Sequence, residues 1–125
     1  MSRRVKGFLL VAALAVASLS LQAHHGLARF DTTHVVTMKG TVTDFQWINP
    51  HAYVYADLKD EHEKSANWSL ELGSLAMLTR AGWNANTVKR GDQITVDGFR
   101  AKDGSPYMAV GTITLPNGKS MPGSP

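Results

Sequence analysis

Five histidines carry most of the chemistry open to this chain of 125 residues: His24, His25, His34, His51 and His62. Three stand out by position. His24 and His25 follow Ala23, where a basic and apolar leader ends, and His51 follows Asn49-Pro50. Cleavage after Ala23 would make His24 the first residue, with a free α-amine beside its own imidazole. Such a pair chelates soft or borderline metals such as copper, and imidazole serves zinc and nickel as well. His51 can then supply a third nitrogen, and His25 or the carboxylate of Asp31 can complete the shell. A structural alternative stands beside this reading. The paired histidines then lie exposed at a processed end, and His51 bonds a backbone carbonyl in its turn. The spacing forms no short H-x-x-x-H motif. His62 sits in a charged loop and reads as solvated, while His34 fits either role.

A second constellation is aromatic. Trp47 ends a strand candidate beside the loop of Asn49, and Tyr53 follows on the next strand. A flat ligand could stack there, as bases do on small barrels that bind single strands. A core role is the safer reading of Trp47, while Trp68 and Trp83 are read as filling the core or covering its ends. Glu71 reads as a lone strand carboxylate, solvated or paired with a lysine or arginine. Spacing places no carboxylate pair for acid–base work, and neither a Gly-x-Ser-x-Gly elbow nor a phosphate loop is present. There is no cysteine, which excludes thiolate metal sites and thiol nucleophiles. No catalytic residue is assigned, and the chain reads as a binding domain rather than an enzyme.

The elements that must position these residues begin with the leader. Arg3, Arg4 and Lys6 precede an apolar run from Phe8 to Leu21, and Ala23 offers a small residue for cleavage. Cleavage after Ser20 is an alternative, and an uncleaved anchor is another. The run has 14 residues, fewer than the roughly 20 that cross a bilayer as a helix. Residues 1–23 are therefore read as a signal peptide, 24–34 as an N-terminal arm, 35–116 as the folded domain and 117–125 as a flexible tail. Three of the 13 basic residues lie in the leader, which leaves ten against ten acidic residues. A neutral mature domain without a basic stripe argues against a nucleic-acid partner. Export to a periplasm, no membrane span after cleavage and a periplasmic protein partner complete this expectation.

Alternation sets the fold. β-branched residues run from Val35 to Trp47, with Val36, Met38, Gly40, Val42 and Phe45 sketching an inward face. Strands follow at 52–58, at 68–72, around Ile94 and Val96, and at 107–115. A short helix is expected from Leu75 to Ala81, capped by Ser74 and closed by Gly82, with Leu75, Leu78 and Met77 toward the core. A long first strand bent at a glycine, with a helix between the third and fourth strands, predicts a small five-stranded OB-like Greek-key barrel. The fold class is all-β with one short helix, a generic antiparallel sandwich being the alternative.

An ordered series of motifs spans residues 23–118: Ala23-His24-His25-Gly26, Phe30-Asp31, Lys39-Gly40-Thr41-Val42, Trp47-Ile48-Asn49-Pro50-His51, Trp68-x-x-Glu71, Arg80-x-Gly82-Trp83, Gly91-Asp92-x-Ile94-x-Val96-x-Gly98 and Ala101-Lys102-Asp103-Gly104. In this series the chain resembles a family of small exported bacterial proteins catalogued as a domain of unknown function. The resemblance implies export, a small β-barrel and no established activity. In chemistry alone, an N-terminal histidine with a second histidine is similar to the copper site of copper monooxygenases and of some periplasmic copper carriers. Those proteins are immunoglobulin-like sandwiches, a different fold. The leading expectation is a periplasmic domain binding copper or another divalent metal through His24, His25 and His51. The alternative is an interaction module that takes a peptide, a glycan or a partner protein on a face with Trp47 and Tyr53 or Tyr55. An enzyme, a copper oxidase or a hydrolase, is the third.

Overall fold

The computed structural model describes residues 26–124. Strand β1 covers Val36–Gln46, β2 Tyr53–Lys59, β3 Ser65–Glu71, β4 Gln93–Arg100, β5 Tyr107–Thr114 and β6 Ser120–Pro122; helix α1 is Leu75–Arg80, between β3 and β4. The sheet order is β3-β2-β1-β4-β5-β6, and a parallel pairing of β3 with β5 closes the first five strands into a barrel. This is the expected OB-like Greek-key connectivity.

β1 joins the two halves of the barrel, pairing with β2 on one edge and β4 on the other. Gly40 lies opposite Leu58 of β2 and Ile94 of β4. A Cβ on Gly40 would run into the carbonyl oxygen of Asp57, so the strands pack here only because the residue has no side chain. Further along, a bulge between Val42 and Asp44 shifts the register. Strict alternation would turn Asp44 inward after Val42; the bulge turns Phe45 toward the core instead.

Alternation does the rest of the burial. Val54, Ala56 and Leu58 of β2, Trp68 and Leu70 of β3, Ile94 and Val96 of β4, and Met108, Val110 and Ile113 of β5 fill the interior. Trp83 is buried as well, so both tryptophans read as core material lie there. α1 covers one end of the barrel with Leu78 buried and Leu75 packed against the core. Met77, expected to face inward, is 39% exposed. Ser74 caps the helix and Gly82 follows it with a φ of 95°.

The segment read as a flexible tail carries β6. Asn117-Gly118 turns the chain, with Gly118 at a φ of 84° and Leu115 N–H bonded to Lys119 O. Met121 then buries its side chain, and the Pro122 carbonyl accepts the indole N–H of Trp83 at 2.8 Å. The sequence signal was an Asn-Gly turn hidden in a stretch rich in proline, glycine and serine. Among the described residues no helix is long and apolar enough to cross a membrane.

Candidate functional site

His51 is set by the backbone on both sides of it. Ala52 N–H bonds Gly73 O at 3.1 Å, and Leu72 N–H bonds Ala52 O at 2.9 Å. The loop between β1 and β2 is thereby tied to the chain leaving β3. The ring follows: His51 Nδ1 lies 3.0 Å from the Leu72 carbonyl oxygen. A carbonyl only accepts, so Nδ1 carries the proton and Nε2 of the neutral ring keeps its lone pair. The backbone bond foreseen as the structural role of His51 therefore exists, and among the described residues no hydrogen bond reaches Nε2. Second-shell bonding of this kind orients metal-bound histidines in general.

Glu71, at the end of β3, stands opposite Tyr53 of β2 and Ala109 of β5. One of its oxygens accepts the hydroxyl proton of Tyr107, and the other lies 3.6 Å from His51 Nδ1. The hydroxyl oxygens of Tyr53 and Tyr107 are 3.1 Å apart. Because Tyr107 has one proton and the carboxylate takes it, Tyr53 is the donor in that contact. Phe30 stacks on the Tyr107 ring at 5.7 Å, and the Arg29 guanidinium lies 4.7 Å from its centroid. Burial, then the bond that Tyr107 donates to the Glu71 carboxylate, push the Tyr107 phenol well above the ordinary tyrosine range. The partner of Glu71 is thus a tyrosine and a histidine, where sequence reasoning expected solvent or a basic side chain.

His51, Glu71 and Phe30 border a cavity of about 300 Å³. Its walls are mostly apolar, with Leu27, Phe30, Pro50, Leu72 and Met77 around the polar pair His51 and Glu71. Gly26 lines the same cavity. His24 and His25, with the signal-peptide reading of 1–23, lie outside the described residues. In the sequence His25 directly precedes Gly26.

The remaining predicted residues are placed as follows. Asp31 is not on the cavity wall; its carboxylate accepts from Thr33 N–H at 3.0 Å and lies 3.2 Å from His34 Nδ1. The bonds from Thr33, before the His34 contact, hold its carboxyl below the usual range. Asn49 Oδ1 accepts the Leu75 N–H at 3.1 Å and so ties the loop of His51 to the start of α1. Trp47 packs against the core with its ring 6.0 Å from Phe45. Tyr53 joins the Glu71 cluster and stacks on Tyr55 at 6.1 Å. Among the described residues no three His, Asp or Glu side chains converge on one point. Sequence reasoning missed the roles of Tyr107 and Met77. The only local signal was the position of Tyr107 directly after the Gly104-Ser105-Pro106 turn.

Residues 11–110 match the model of a family of unknown function, DUF6152, and the chain belongs to that family. No curated protein matches it.

Proposed function

We propose that this DUF6152 member is an exported domain that binds copper or another divalent metal in the periplasm. Residues 1–23 act as the signal peptide, and the mature chain begins at His24. The metal takes the α-amine and ring of His24, the ring of His25 and Nε2 of His51. One observation carries this reading: Gly26, the residue that follows His24 and His25 in the sequence, lines the same cavity as His51. Among the described residues no partner engages Nε2 of His51, while Nδ1 is held and the nearby Glu71 carboxylate supplies negative charge. Asp31, occupied by Thr33 and His34, is the weakest of the predicted ligands.

Mass spectrometry of the exported protein fixes its first residue, and titration with Cu(II) follows on that material. A terminus at His24, one bound equivalent, and a loss of about tenfold or more in affinity for His24→Ala and His51→Ala (about 1.4 kcal/mol each) are expected. A terminus at Leu21, or unchanged affinity in His51→Ala, defeats the reading.

A second reading rests on the stacked, half-exposed Tyr53 and Tyr55 of β2. They form a face for a peptide, a glycan or a protein partner. Tyr55→Ser would abolish such binding and leave metal affinity unchanged.

A further inference from the structure

Glu71 is held by contacts on two sides. Tyr107, stacked on Phe30 at 5.7 Å, donates its hydroxyl proton to Oε2. Oε1 lies 3.6 Å from His51 Nδ1, whose proton goes to the Leu72 carbonyl oxygen at 3.0 Å. At 3.6 Å the imidazole does not hydrogen-bond Oε1, and among the described residues no other donor reaches that oxygen. No described lysine or arginine pairs with Glu71; the Arg29 guanidinium lies on the ring of Tyr107 instead. The Glu71 side chain is only 19% exposed. Yet among the described residues no sealed side-chain polar atom lacks a hydrogen bond, so Oε1 is open to solvent. It is a half-withdrawn anionic oxygen that a cation can reach, and a cation that also donates a hydrogen bond stabilises it best. The rest of the wall selects among cations. Phe30, Leu72 and Met77 line the same cavity as Glu71, and Leu27, 60% exposed, stands at its rim. Such surfaces favour a hydrocarbon, by about three- to fourfold in affinity for each methylene buried. A cavity of about 300 Å³ is at the small end of ligand sites.

We propose that this cavity takes a small primary organic ammonium ion. Its head pairs with Glu71 Oε1, and its apolar body lies against Phe30, Leu72 and Met77. The assignment uses only described residues; it goes beyond the metal-binding reading and does not rest on it.

The test uses the exported protein with ¹³C-methyl methionine, in EDTA to keep metal out. n-Hexylammonium is the probe; 1-hexanol, hexanoate and methylammonium are its controls. Hexylammonium shifts the Met77 methyl signal along one saturating curve, and those of the buried Met38, Met108 and Met121 stay in place. Hexanol binds about tenfold or more weakly for want of the charge, methylammonium likewise for want of the tail, and hexanoate does not bind. Glu71→Gln keeps an oxygen for the Tyr107 hydroxyl and removes the charge. It weakens hexylammonium by about tenfold or more and leaves hexanol within about twofold. Equal affinity for hexylammonium and hexanol, or undiminished hexylammonium binding in Glu71→Gln, overturns the proposal. Methylammonium bound as tightly as hexylammonium, or an unmoved Met77 signal, reduces the site to a surface ion pair and overturns it too. Cu(II) titration without EDTA is a separate measurement, so failure of the metal-binding reading and failure of this one are told apart.

Discussion

The Tyr107 hydroxyl donates to the Glu71 carboxylate across the parallel pairing of β5 with β3, joining residues 36 positions apart. The register is Ser69 opposite Tyr107 and Glu71 opposite Ala109. The bond therefore exists only when the barrel is closed. It also fixes the carboxylate that faces His51.

Tyr107→Phe tests that bond. It leaves a Glu71 oxygen without its donor in a partly buried place and is expected to cost about 1–2 kcal/mol at neutral pH. The alkaline limb separates this from simple loss of packing. The unfolded chain releases a tyrosine proton near pH 10, and the native cluster holds it beyond that. The contribution is thus complete below about pH 10 and is lost as pH rises above it, by at most about 1.4 kcal/mol per pH unit. Urea unfolding between pH 8 and 11 should show the wild-type protein losing stability faster than Tyr107→Phe. Parallel curves would mean that the phenol titrates alike in both states.

Gly40→Ala tests the crossing in β1. The added methyl would meet the Asp57 carbonyl oxygen, and backbone cannot step aside as a side-chain tip can. A loss of about 1–3 kcal/mol is expected, read as a lower urea midpoint with unchanged slope. Full stability in the variant would show that β1 does not need its glycine to serve both β2 and β4.

Local patterns made much of this legible, and long-range ones did not. The strands followed from alternation, and Gly40 marked the bend because a glycine inside a β-branched run has few other uses. The bulge after Val42 left its trace in Phe45, an apolar residue one place out of phase. His51 was readable from its type and its turn. Its partner Glu71 was not, because the parallel pairing of β3 and β5 joins segments with no shared local signal. Met77 misled for a different reason. Helix α1 is six residues long, too short for helical periodicity to define a buried face, and only Leu78 of it is fully buried. The end of the chain misled by composition, since proline and glycine there build a turn and a strand.

Met121→Ala tests whether that last strand stabilises the fold. The side chain is 2% exposed, and truncating a buried methionine costs about 2–5 kcal/mol. The bond from Trp83 to Pro122 should loosen with it, so tryptophan fluorescence should shift to the red before global unfolding. A change under about 0.5 kcal/mol would make β6 a passive edge.

Asn49 and Ser74 offer a paired experiment on the site itself. Each accepts one N–H from the first turn of α1: Asn49 that of Leu75 at 3.1 Å, Ser74 that of Met77 at 3.3 Å. Loss of either should cost a similar amount, about 0.5–2 kcal/mol, as helix caps do. Their geometry differs in one respect. Ser74 bonds within its own turn, whereas Asn49 reaches across from the loop of His51 and sets the spacing between that loop and Met77. Asn49→Ala should therefore weaken Cu(II) binding by about tenfold, in the range seen when outer groups that orient ligands are removed. Ser74→Ala should change it by less than about threefold. Thermal melts supply the stability arm and chelator competition the affinity arm. Equal affinity losses in the two variants would mean that the bridge from loop to helix does not position the ligands.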